Sequence, residues 1–438
     1  MSKISYELTP RDVLFLRDAR PMDVDKGAKT NVFNVGHGAN WPRPDNLYNA
    51  TIHELIHDPL APESNWYREV PDLRVTGPFP MVTETAGGGT PALPVGSRVP
   101  RDRVKTLYLP RPLDWDMTFT KLDAAVGATD IPAPLTVGFL DRVVGKKSYP
   151  KWITVGDYER YLRGEVGKGC AKDAFDEPTN DDGRLMETET RMGTTLDPNK
   201  GASKRPDGPT ATGQFCAEYL RLGDGVSMAC EIESEKRASD VEKLAGCDVR
   251  MGGQGGLVQF AKMAGTSLSE RLAALPKGAS SCYVRWTLLT PALFTHGWYP
   301  NWLEIVKDGE KDRFTGKVML PMETVLRRPG ESREAYHKRA HEARKPFDSA
   351  HLVAACVGKA IPFSGYDSKD QEKPTQLIVP AGSCYVFECG TIGEAEKLVA
   401  QLNLKRRSDL GEKGFGLGVC STIAAPKKFQ ETETTENN

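Results

Sequence analysis

Short runs in which apolar and polar residues alternate fill much of the chain. Residues 4–17 begin with such a run, which Pro10 interrupts, and residues 187–197 (ETETRMGTTLD) and 214–222 (QFCAEYLRL) alternate in the same way. A period of two places successive side chains on opposite faces of a β-strand. The last two runs are therefore predicted to pair as a hairpin with a polar tip, and residues 281–294 are predicted to belong to a second strand-rich unit.

Two stretches have helical periodicity instead. The first is predicted to run from Asp45, as its N-cap, to His57, with Pro59 ending it. The second begins at Thr391, which forms a capping-box pattern with Glu394. Each has an apolar face that is predicted to be buried: Leu47, Ala50, Leu55 and Ile56 in the first helix, and Ile392, Ala395, Leu398, Val399 and Leu402 in the second.

The order of strand, helix and paired strands occurs twice, once in each half of the chain. This interrupted, antiparallel order favours the α+β class over a doubly wound sheet, and the ferredoxin-like β-α-β-β-α-β unit is the natural candidate. We expect an N-terminal domain of residues 1–225 that includes the hairpin 187–222, a C-terminal domain of residues 226–425, and a disordered tail of residues 426–438.

Composition restricts the function only weakly. The chain has 438 residues and a formal net charge of −1, so a nucleic-acid surface must come from a local patch. Its nine cysteines include no C-x-x-C pair, which favours reduced thiols in a cytosol over a disulfide framework. The N-terminus lacks a secretory h-region, and no run of 18 apolar residues occurs. We therefore expect a cytoplasmic protein with no membrane partner.

The first predicted helix contains a metal-site motif. His53, Glu54 and His57 form H-E-x-x-H, which on a helix places two imidazoles on one face beside a carboxylate, as in a zinc metallopeptidase. Such a site needs a third ligand, but the extended motif fails after His57, and Pro59 ends the helix. An ordinary core-packing helix is the favoured interpretation, and the zinc peptidase remains an alternative.

Glycine-rich segments offer a second kind of chemistry. The segment GEKGFGLG has a basic flank, and the residues concerned are Gly411, Gly414, Gly416 and Gly418 with Lys405, Arg406, Arg407 and Lys413. It matches neither the P-loop nor G-x-G-x-x-G, but glycines let backbone N–H groups approach phosphate closely. A phosphate contact is favoured here over a plain tight turn. For RMGGQGGLVQF (250–260), a bulged turn and an RNA contact remain equally open.

Other polar residues are favoured as ordinary loop positions. The pairs Asp23/Asp25 and Asp114/Asp116 are predicted to be solvated rather than metal-bound. His37 lies in a Gly-His-Gly setting and could act as a general acid or base, although a loop histidine without a function is the favoured interpretation.

Several stretches, taken in order, resemble one family. They are TPRDVLFLRDARPM, NWPRPDNLYNATIHELI, ETETRMGTTLD with QFCAEYLRL, DVRMGGQGG, LLTPALFTHGWYP, AIPFSGYD, VPAGSCYVFEC and GEKGFGLGV. Together they are similar to the RAMP subunit of type III-B CRISPR effectors (the Cmr module) that sits at the 5′ end of the guide RNA. The resemblance spans nearly the whole chain. The sequence departs from it in long polar insertions, among them residues 164–186 and 325–346, to which it assigns no role.

The resemblance implies two ferredoxin-like (RRM-like, RAMP) domains with long loop insertions, no nuclease activity and no cofactor. It implies that the chain caps the repeat-derived 5′ tag of the crRNA and contacts the large palm-domain subunit and the backbone RAMP subunits, in antiviral defence. It also implies a thumb-like hairpin, placed in residues 187–222, that wedges into the duplex with target RNA near the guide's 5′ end. H-E-x-x-H then falls on the first helix of an RNA-binding fold, where zinc chemistry is not expected.

Single-stranded RNA is held by neutralising its phosphates and by stacking its bases on aromatic rings. The expected RNA-binding residues are Arg17, Arg20, Lys26, Lys29 and His37 in the first loop, Arg191 and Met192 on the hairpin, Arg250, Gly252, Gly253 and Gln254 in the second glycine segment, and Arg406, Lys413, Gly414, Phe415, Gly416 and Gly418 in the last. Phe415 is a possible stacking plane, as are Trp298 and Tyr299, which could instead be core or subunit contacts.

Two alternatives to this RNA-binding role remain. One is a RAMP-type endoribonuclease that processes precursor crRNA, with His37 or another loop histidine as its acid or base. The other is the zinc metallopeptidase described above.

Overall fold

The computed structural model describes residues 3–18, 34–56, 70, 72–85, 103–115, 117–121, 137–140, 150–165, 182–194, 214–278, 280–308, 311–321, 331–364, 374–425 and 427–428. The strands in these ranges are β1 (Lys3–Pro10), β2 (Asn34–Gly36), β3 (Arg74–Thr85), β4 (Arg103–Pro110), β5 (Met117–Lys121), β6 (Val137–Leu140), β7 (Trp152–Thr154), β8 (Met186–Thr194), β9 (Gln214–Leu222), β10 (Val226–Glu233), β11 (Asp248–Arg250), β12 (Leu257–Lys262), β13 (Tyr283–Leu288), β14 (Leu303–Asp308), β15 (Lys311–Pro321), β16 (Arg344–Cys356), β17 (Ile361–Phe363), β18 (Gln376–Ile378), β19 (Cys384–Glu388), β20 (Gly418–Ile423) and β21 (Lys427–Lys428). The α-helices are α1 (Pro44–Leu55), α2 (Val155–Leu162), α3 (Asp182–Leu185), α4 (Ala238–Lys243), α5 (Leu268–Ala273), α6 (Arg333–Glu342) and α7 (Ile392–Leu402). None of these helices is long and apolar enough to cross a bilayer.

The first large sheet has the strand order β11-β12-β1-β10-β3-β4-β7. Strand β1 lies between β10 and β12 and is antiparallel to both. Its alternation places Tyr6 and Leu8 on one face, where they join a buried cluster with residues of α1 and α4, among them Leu47 and Val241. The mixed, mostly antiparallel architecture agrees with the expected α+β class. The predicted domain boundary at 225/226 falls inside this sheet, because β10 and β12 pair with strands from the first part of the chain.

The second large sheet has the order β14-β15-β16-β19-β13-β20. Strand β13 lies between β19 and β20, antiparallel to both, just as β1 lies between β10 and β12. Alternation places Trp286 of β13 on the face covered by α7, where it packs with Leu398 and Leu402. The outer edge of β20 is capped, since Cys420 N donates to Asn403 Oδ1 (2.9 Å) and Thr422 N to Lys277 O (2.8 Å). Because its edge N–H groups are occupied, β20 is protected from pairing with another strand.

The predicted hairpin is present as β8 and β9. The two strands are antiparallel along their whole length, from Met186 opposite Leu222 to Thr194 opposite Gln214. Strand β2 adds to β9 in parallel and completes a three-stranded sheet. The polar tip between the two strands lies outside the described residues.

The two predicted helices begin close to their predicted positions. Arg43, not Asp45, is the N-cap of α1, because Pro44 occupies the first helical position and Arg43 N donates to Asn46 Oδ1 (2.9 Å). Asp45 instead lies in the first turn, where a carboxylate opposes the positive end of the helix dipole. Thr391 caps α7 by accepting from Glu394 N (3.1 Å), but the Glu394 carboxylate accepts from Ser349 N (2.9 Å) and Gly390 N (3.1 Å), so only half of the predicted capping box forms. Both predicted apolar faces are buried except for Ile392, which is 46% exposed.

The polar insertions and the tail contain regular structure. Within 325–346, Ser332 caps helix α6 through Ala335 N (3.1 Å), and the chain then enters β16. Within 164–186, α3 leads into β8. The predicted disordered tail is partly ordered at its start, because β21 pairs in parallel with β5. Residues 429–438 lie outside the described part of the chain.

A buried polar cluster joins elements of the two large sheets. Asp114, in the loop after β4, accepts from the hydroxyl of Tyr161 on α2 (2.5 Å) and from the thiol of Cys384 on β19 (2.9 Å). Its other oxygen faces Arg285 of β13 at 3.5 Å. Asp114 was predicted to be a solvated loop residue, and this is wrong, since only 3% of it is exposed. Asp116, Asp23 and Asp25 lie outside the described residues.

Candidate nucleic-acid interface

Four segments that are distant in sequence are joined to one another by backbone contacts. Leu14 and Leu220 exchange backbone hydrogen bonds (2.9 and 2.8 Å), and Gly253 N donates to Phe15 O (2.8 Å). Ala39 N donates to Leu16 O (2.6 Å). We call the surface formed by residues 14–18, 36–39, 216–220 and 250–256 the junction surface. It unites three of the four segments that were predicted from sequence to bind RNA.

Two arginines on the junction surface, Arg17 and Arg250, are exposed to solvent. Neither side chain forms a hydrogen bond or ion pair with any part of the chain that the structure describes. An exposed, unpaired guanidinium is a ready partner for phosphate, because it offers several N–H donors in one plane.

The loop from Gly252 to Gly255 is exposed and contacts Phe15 through Gly253. Gly252, Gln254 and Gly255 have positive φ angles of 80°, 57° and 73°. The turn closes through Met251 N, which donates to Gly256 O (2.9 Å). The N–H groups of Gly252, Gln254 and Gly255 donate to no described residue. The predicted bulged turn is therefore present, and its outward N–H groups have the character of an anion-binding nest.

An aromatic pair that was not predicted from sequence lies on the same surface. The rings of Phe15 and Tyr219 are 5.4 Å apart between centroids, and the guanidinium of Arg191 lies 5.4 Å from the Tyr219 ring. Both aromatic residues are half-buried. The position of Phe15 two residues before Arg17 was the available sequence signal, but its pairing with Tyr219 joins residues too far apart for a local pattern to predict.

The predicted hairpin residues differ in how available they are. Arg191 donates to both Glu189 (2.6 Å) and Asp12 (2.9 Å), and Arg221 contacts the same two carboxylates. This ring of alternating charges fastens the hairpin to the end of β1, so the charge of Arg191 is already balanced. The side chain of Met192 is 67% exposed.

His37 is held in place rather than free in a loop. Its Nδ1 lies 3.2 Å from Glu218 Oε2 on β9, and Gly38 N donates to the same oxygen (3.2 Å). Asp18 N donates to His37 O (3.1 Å). These contacts attach the segment after β2 to the hairpin at the centre of the junction surface.

The last glycine segment is buried from Gly414 onward. Gly416 N donates to Pro291 O (2.8 Å), Leu417 N donates to Thr290 Oγ1 (3.0 Å), and Gly414 O accepts from Thr290 Oγ1 (2.8 Å). The ring of Phe415 is fully buried and packs against Phe363. The geometry thus contradicts the favoured prediction that these N–H groups and this ring face RNA. The glycines let backbones approach closely, because a Cβ at Gly414 would lie 2.8 Å from Val75 O, and one at Gly418 would overlap the Trp286 indole.

Three of the basic residues that flank this segment contact different parts of the protein. Arg406 donates to Thr76 Oγ1 (2.7 Å), and burial lowers its pKa. Arg407 donates to the backbone and side-chain oxygens of Gln401 (2.8 and 2.9 Å), and burial lowers its pKa to about 10. Lys413 lies over the ring of Tyr48 at 5.4 Å. These three cations therefore form no common phosphate site.

The remaining predicted positions divide into described and undescribed residues. His53 and Glu54 are exposed on α1, whereas His57 lies outside the described residues, as do Arg20, Lys26 and Lys29. Among the side chains that the structure describes, no three His, Cys, Asp or Glu residues are grouped for a metal ion. Of the two other possible stacking planes, Tyr299 is buried and Trp298 is 40% exposed.

Comparison with known proteins identifies one family. The family model described as CRISPR-associated protein (Cas_Cmr3) matches residues 6–422. Among solved structures, the chain is similar to one in the cryo-EM structure of the Type III-B Cmr-beta bound to cognate target RNA, at 12% identity over 87% of this chain and 86% of that chain, with a TM-score of 0.41. It is also similar to one in the crystal structure of a Csm3-Csm4 subcomplex in the type III-A CRISPR-Cas interference complex, at 10% identity over 88% and 94%, with a TM-score of 0.33. No curated protein matches the sequence.

Proposed function

The chain belongs to the Cas_Cmr3 family of CRISPR-associated proteins, and from this premise we propose that it is a non-catalytic RNA-binding subunit that holds the 5′ tag of a crRNA. The family match covers nearly the whole chain, so it supports a role as a subunit of a type III-B CRISPR effector. The tag is a single strand, and the junction surface is where this chain binds it.

One observation carries this assignment. The junction surface combines a half-buried aromatic pair with two guanidinium groups and three backbone N–H groups that have no partner within the described part of the chain. Cations and N–H groups neutralise phosphates, and aromatic rings stack unpaired bases, which together are the elements of single-strand recognition. The buried glycine segment at 411–418 takes no part in this contact.

The proposed assembly extends to the other components of the effector. Each large sheet has its first strand between its third and fourth core strands, in the orders β12-β1-β10-β3 and β20-β13-β19-β16, which supports two ferredoxin-like units. The hairpin β8–β9 acts as the thumb at the target RNA near the guide's 5′ end, with the exposed Met192 as an apolar contact. Other faces dock the large palm-domain subunit and the backbone RAMP subunits.

Replacing Arg17 and Arg250 by glutamate tests the RNA site. Each single variant, R17E or R250E, is expected to weaken binding of a tag RNA about tenfold, the loss of one charge-assisted phosphate contact. Each should also reduce the slope of log K against log salt by about one, because fewer counterions are released. Fluorescence anisotropy with a labelled tag RNA at several salt concentrations measures both quantities.

Lys397→Glu is the matched control, because Lys397 is an exposed cation on α7, a helix that packs on the second large sheet. It reverses the same charge and is expected to leave the affinity within about twofold. Equal weakening in all three variants would mean that only net charge matters, and unchanged binding in R17E and R250E would remove the junction surface as the tag site.

The non-catalytic part of the proposal has a separate test. A labelled repeat RNA incubated with the purified chain in EDTA is expected to remain intact on a denaturing gel, because the chain acts by binding alone. Cleavage that disappears in His37→Ala would favour the endoribonuclease alternative, with the Glu218 carboxylate orienting the imidazole through its 3.2 Å contact.

A further inference from the structure

A cavity of about 460 Å³ lies beside the outer edge of β20, between α7 and residues 277–278 and 280–281. It is within the size range of small-ligand sites, which are about 300–1,000 Å³. The residues that line it include none of the junction surface, so the inference drawn from it does not rest on the proposed function.

The polar lining favours an anion. Lys277 and Lys405 both line the cavity and are exposed, and neither forms an ion pair with a described residue. Glu396 is the lining carboxylate, so the lining carries a net charge of +1 from two lysines and one glutamate. Asn403 Oδ1 already accepts from Cys420 N (2.9 Å), which leaves its NH₂ group as a donor at the cavity wall.

The apolar lining explains an exposed side chain that core packing does not. Ile392 belongs to the apolar face of α7 but is 46% exposed, whereas Ala395 and Val399 of the same face are buried. All three line the cavity. An apolar surface beside two ammonium groups suits a ligand that has a flat apolar part and a negatively charged part.

The hydrogen bonds along the outer edge of β20 exclude an extended peptide as the ligand of this cavity. A peptide that adds to a sheet edge needs free backbone N–H and C=O groups along the strand. Here Gly418 O accepts from Leu404 N (2.7 Å), and the N–H groups of Cys420 and Thr422 donate to Asn403 and Lys277. The edge is therefore occupied, and the ligand must be recognised by side chains.

We propose that this cavity binds a nucleoside phosphate, with the phosphate on Lys277 and Lys405 and the base on Ile392 and Val399. Glu396 accepts hydrogen bonds from ribose hydroxyls or base amino groups. The same chemistry is presented by a free nucleotide and by a terminal nucleotide of an RNA, and the two sources are distinguished by experiment.

Two binding experiments test the proposal. The first is isothermal titration calorimetry of the full chain with AMP. The second is fluorescence anisotropy with a short single-stranded RNA and the R17E/R250E variant, which removes RNA binding at the junction surface. Binding of AMP is expected to weaken at least tenfold in Lys277→Glu and in Lys405→Glu, and several-fold in Ile392→Ala, with Lys397→Glu unchanged. Adenosine without its phosphate is expected to bind at least tenfold more weakly than AMP.

The binding of AMP and of RNA by these variants decides whether the cavity is a nucleotide site. Binding of both AMP and RNA, each lost in Lys405→Glu, assigns a nucleotide site open to either source, and binding of RNA alone with the same loss assigns a site for an RNA residue. Binding of neither probe overturns the proposal. Equal losses in Lys405→Glu and Lys397→Glu also overturn it, because they would show attraction to the surface charge alone.

Discussion

Asp114→Ala is expected to lower the free energy of unfolding by about 3–5 kcal/mol, the range for breaking a buried ion pair by removing one partner. Asp114 lies among groups from three other elements: Arg285, Tyr161 and Cys384. The variant would leave the Arg285 guanidinium without a counter-charge where only 8% of the residue is exposed. Urea denaturation followed by tryptophan fluorescence measures the change.

The loss of two hydrogen bonds, from Tyr161 and Cys384 to Asp114, adds to this cost. Burial raises the pKa of the Tyr161 phenol and of the Cys384 thiol well above their ordinary values, so both stay protonated and donate to Asp114. In the alanine variant both donors lose their carboxylate acceptor, although the Cys384 thiol keeps Gly382 O at 3.1 Å. A buried donor left without any acceptor costs about 1–3 kcal/mol. Some of this is recovered by Tyr161, since its hydroxyl is also 3.2 Å from Thr287 Oγ1.

Asp248→Ala is the matched control, because Asp248 also pairs with an arginine, Arg11, at 2.8 Å but on the exposed surface. It is expected to leave the urea midpoint nearly unchanged, since exposed pairs contribute little. The double variant Asp114→Leu/Arg285→Met removes both charges and is expected to recover much of the stability lost in Asp114→Ala. A wild-type urea midpoint for Asp114→Ala would contradict the stabilising role of the cluster.

Gly416→Val is expected to lower the free energy of unfolding by about 2–5 kcal/mol. Gly416 has a φ of +67°, which costs an L-residue about 1–2 kcal/mol. A Cβ there would overlap the Cβ of Ser408, and overpacking of a filled site adds about 1–3 kcal/mol. Thermal denaturation followed by circular dichroism gives the loss as a lower Tm.

Gly265→Val separates the two contributions to that loss. Gly265 has a similar φ of +79°, but a Cβ there meets nothing within 4 Å. Only the backbone term applies, so its Tm is expected to fall between those of the wild type and Gly416→Val. If Gly416→Val kept the wild-type Tm but lost affinity for tag RNA, the segment would contact RNA as its sequence predicted, and the packing interpretation would fail.

The features that were predicted correctly from the sequence depend on neighbouring residues. The alternation in β8 and β9 and the cap at Thr391 are short-range patterns, and both are present. Asp114 was misjudged because its ionic partner, Arg285, is 171 residues away. The pairing of β12 with β1 was missed for the same reason, because the two strands are far apart in sequence. This pairing places the predicted domain boundary within a sheet.

The candidate site was predicted in its parts but not in its arrangement. Arg17, His37 and the segment from Arg250 were named from local composition, whereas their meeting depends on contacts such as Gly253 with Phe15. The segment around Phe415 has the composition of an exposed phosphate loop. Its glycines instead allow tight backbone packing, and composition alone does not distinguish these two uses of glycine.

The position of β1 between β10 and β12 determines when the first sheet can assemble during translation. Ser5 of β1 bonds to Glu231 of β10, 226 residues later. At a synthesis rate of about 5–20 residues per second, β1 waits roughly 10–45 s for its first sheet neighbour to be made. Through that interval the apolar side chains of Tyr6 and Leu8 have no sheet to join. The nascent chain therefore has to be kept from aggregating until more than half of it has been synthesised, and a fragment that ends at residue 225 lacks both neighbours of its first strand.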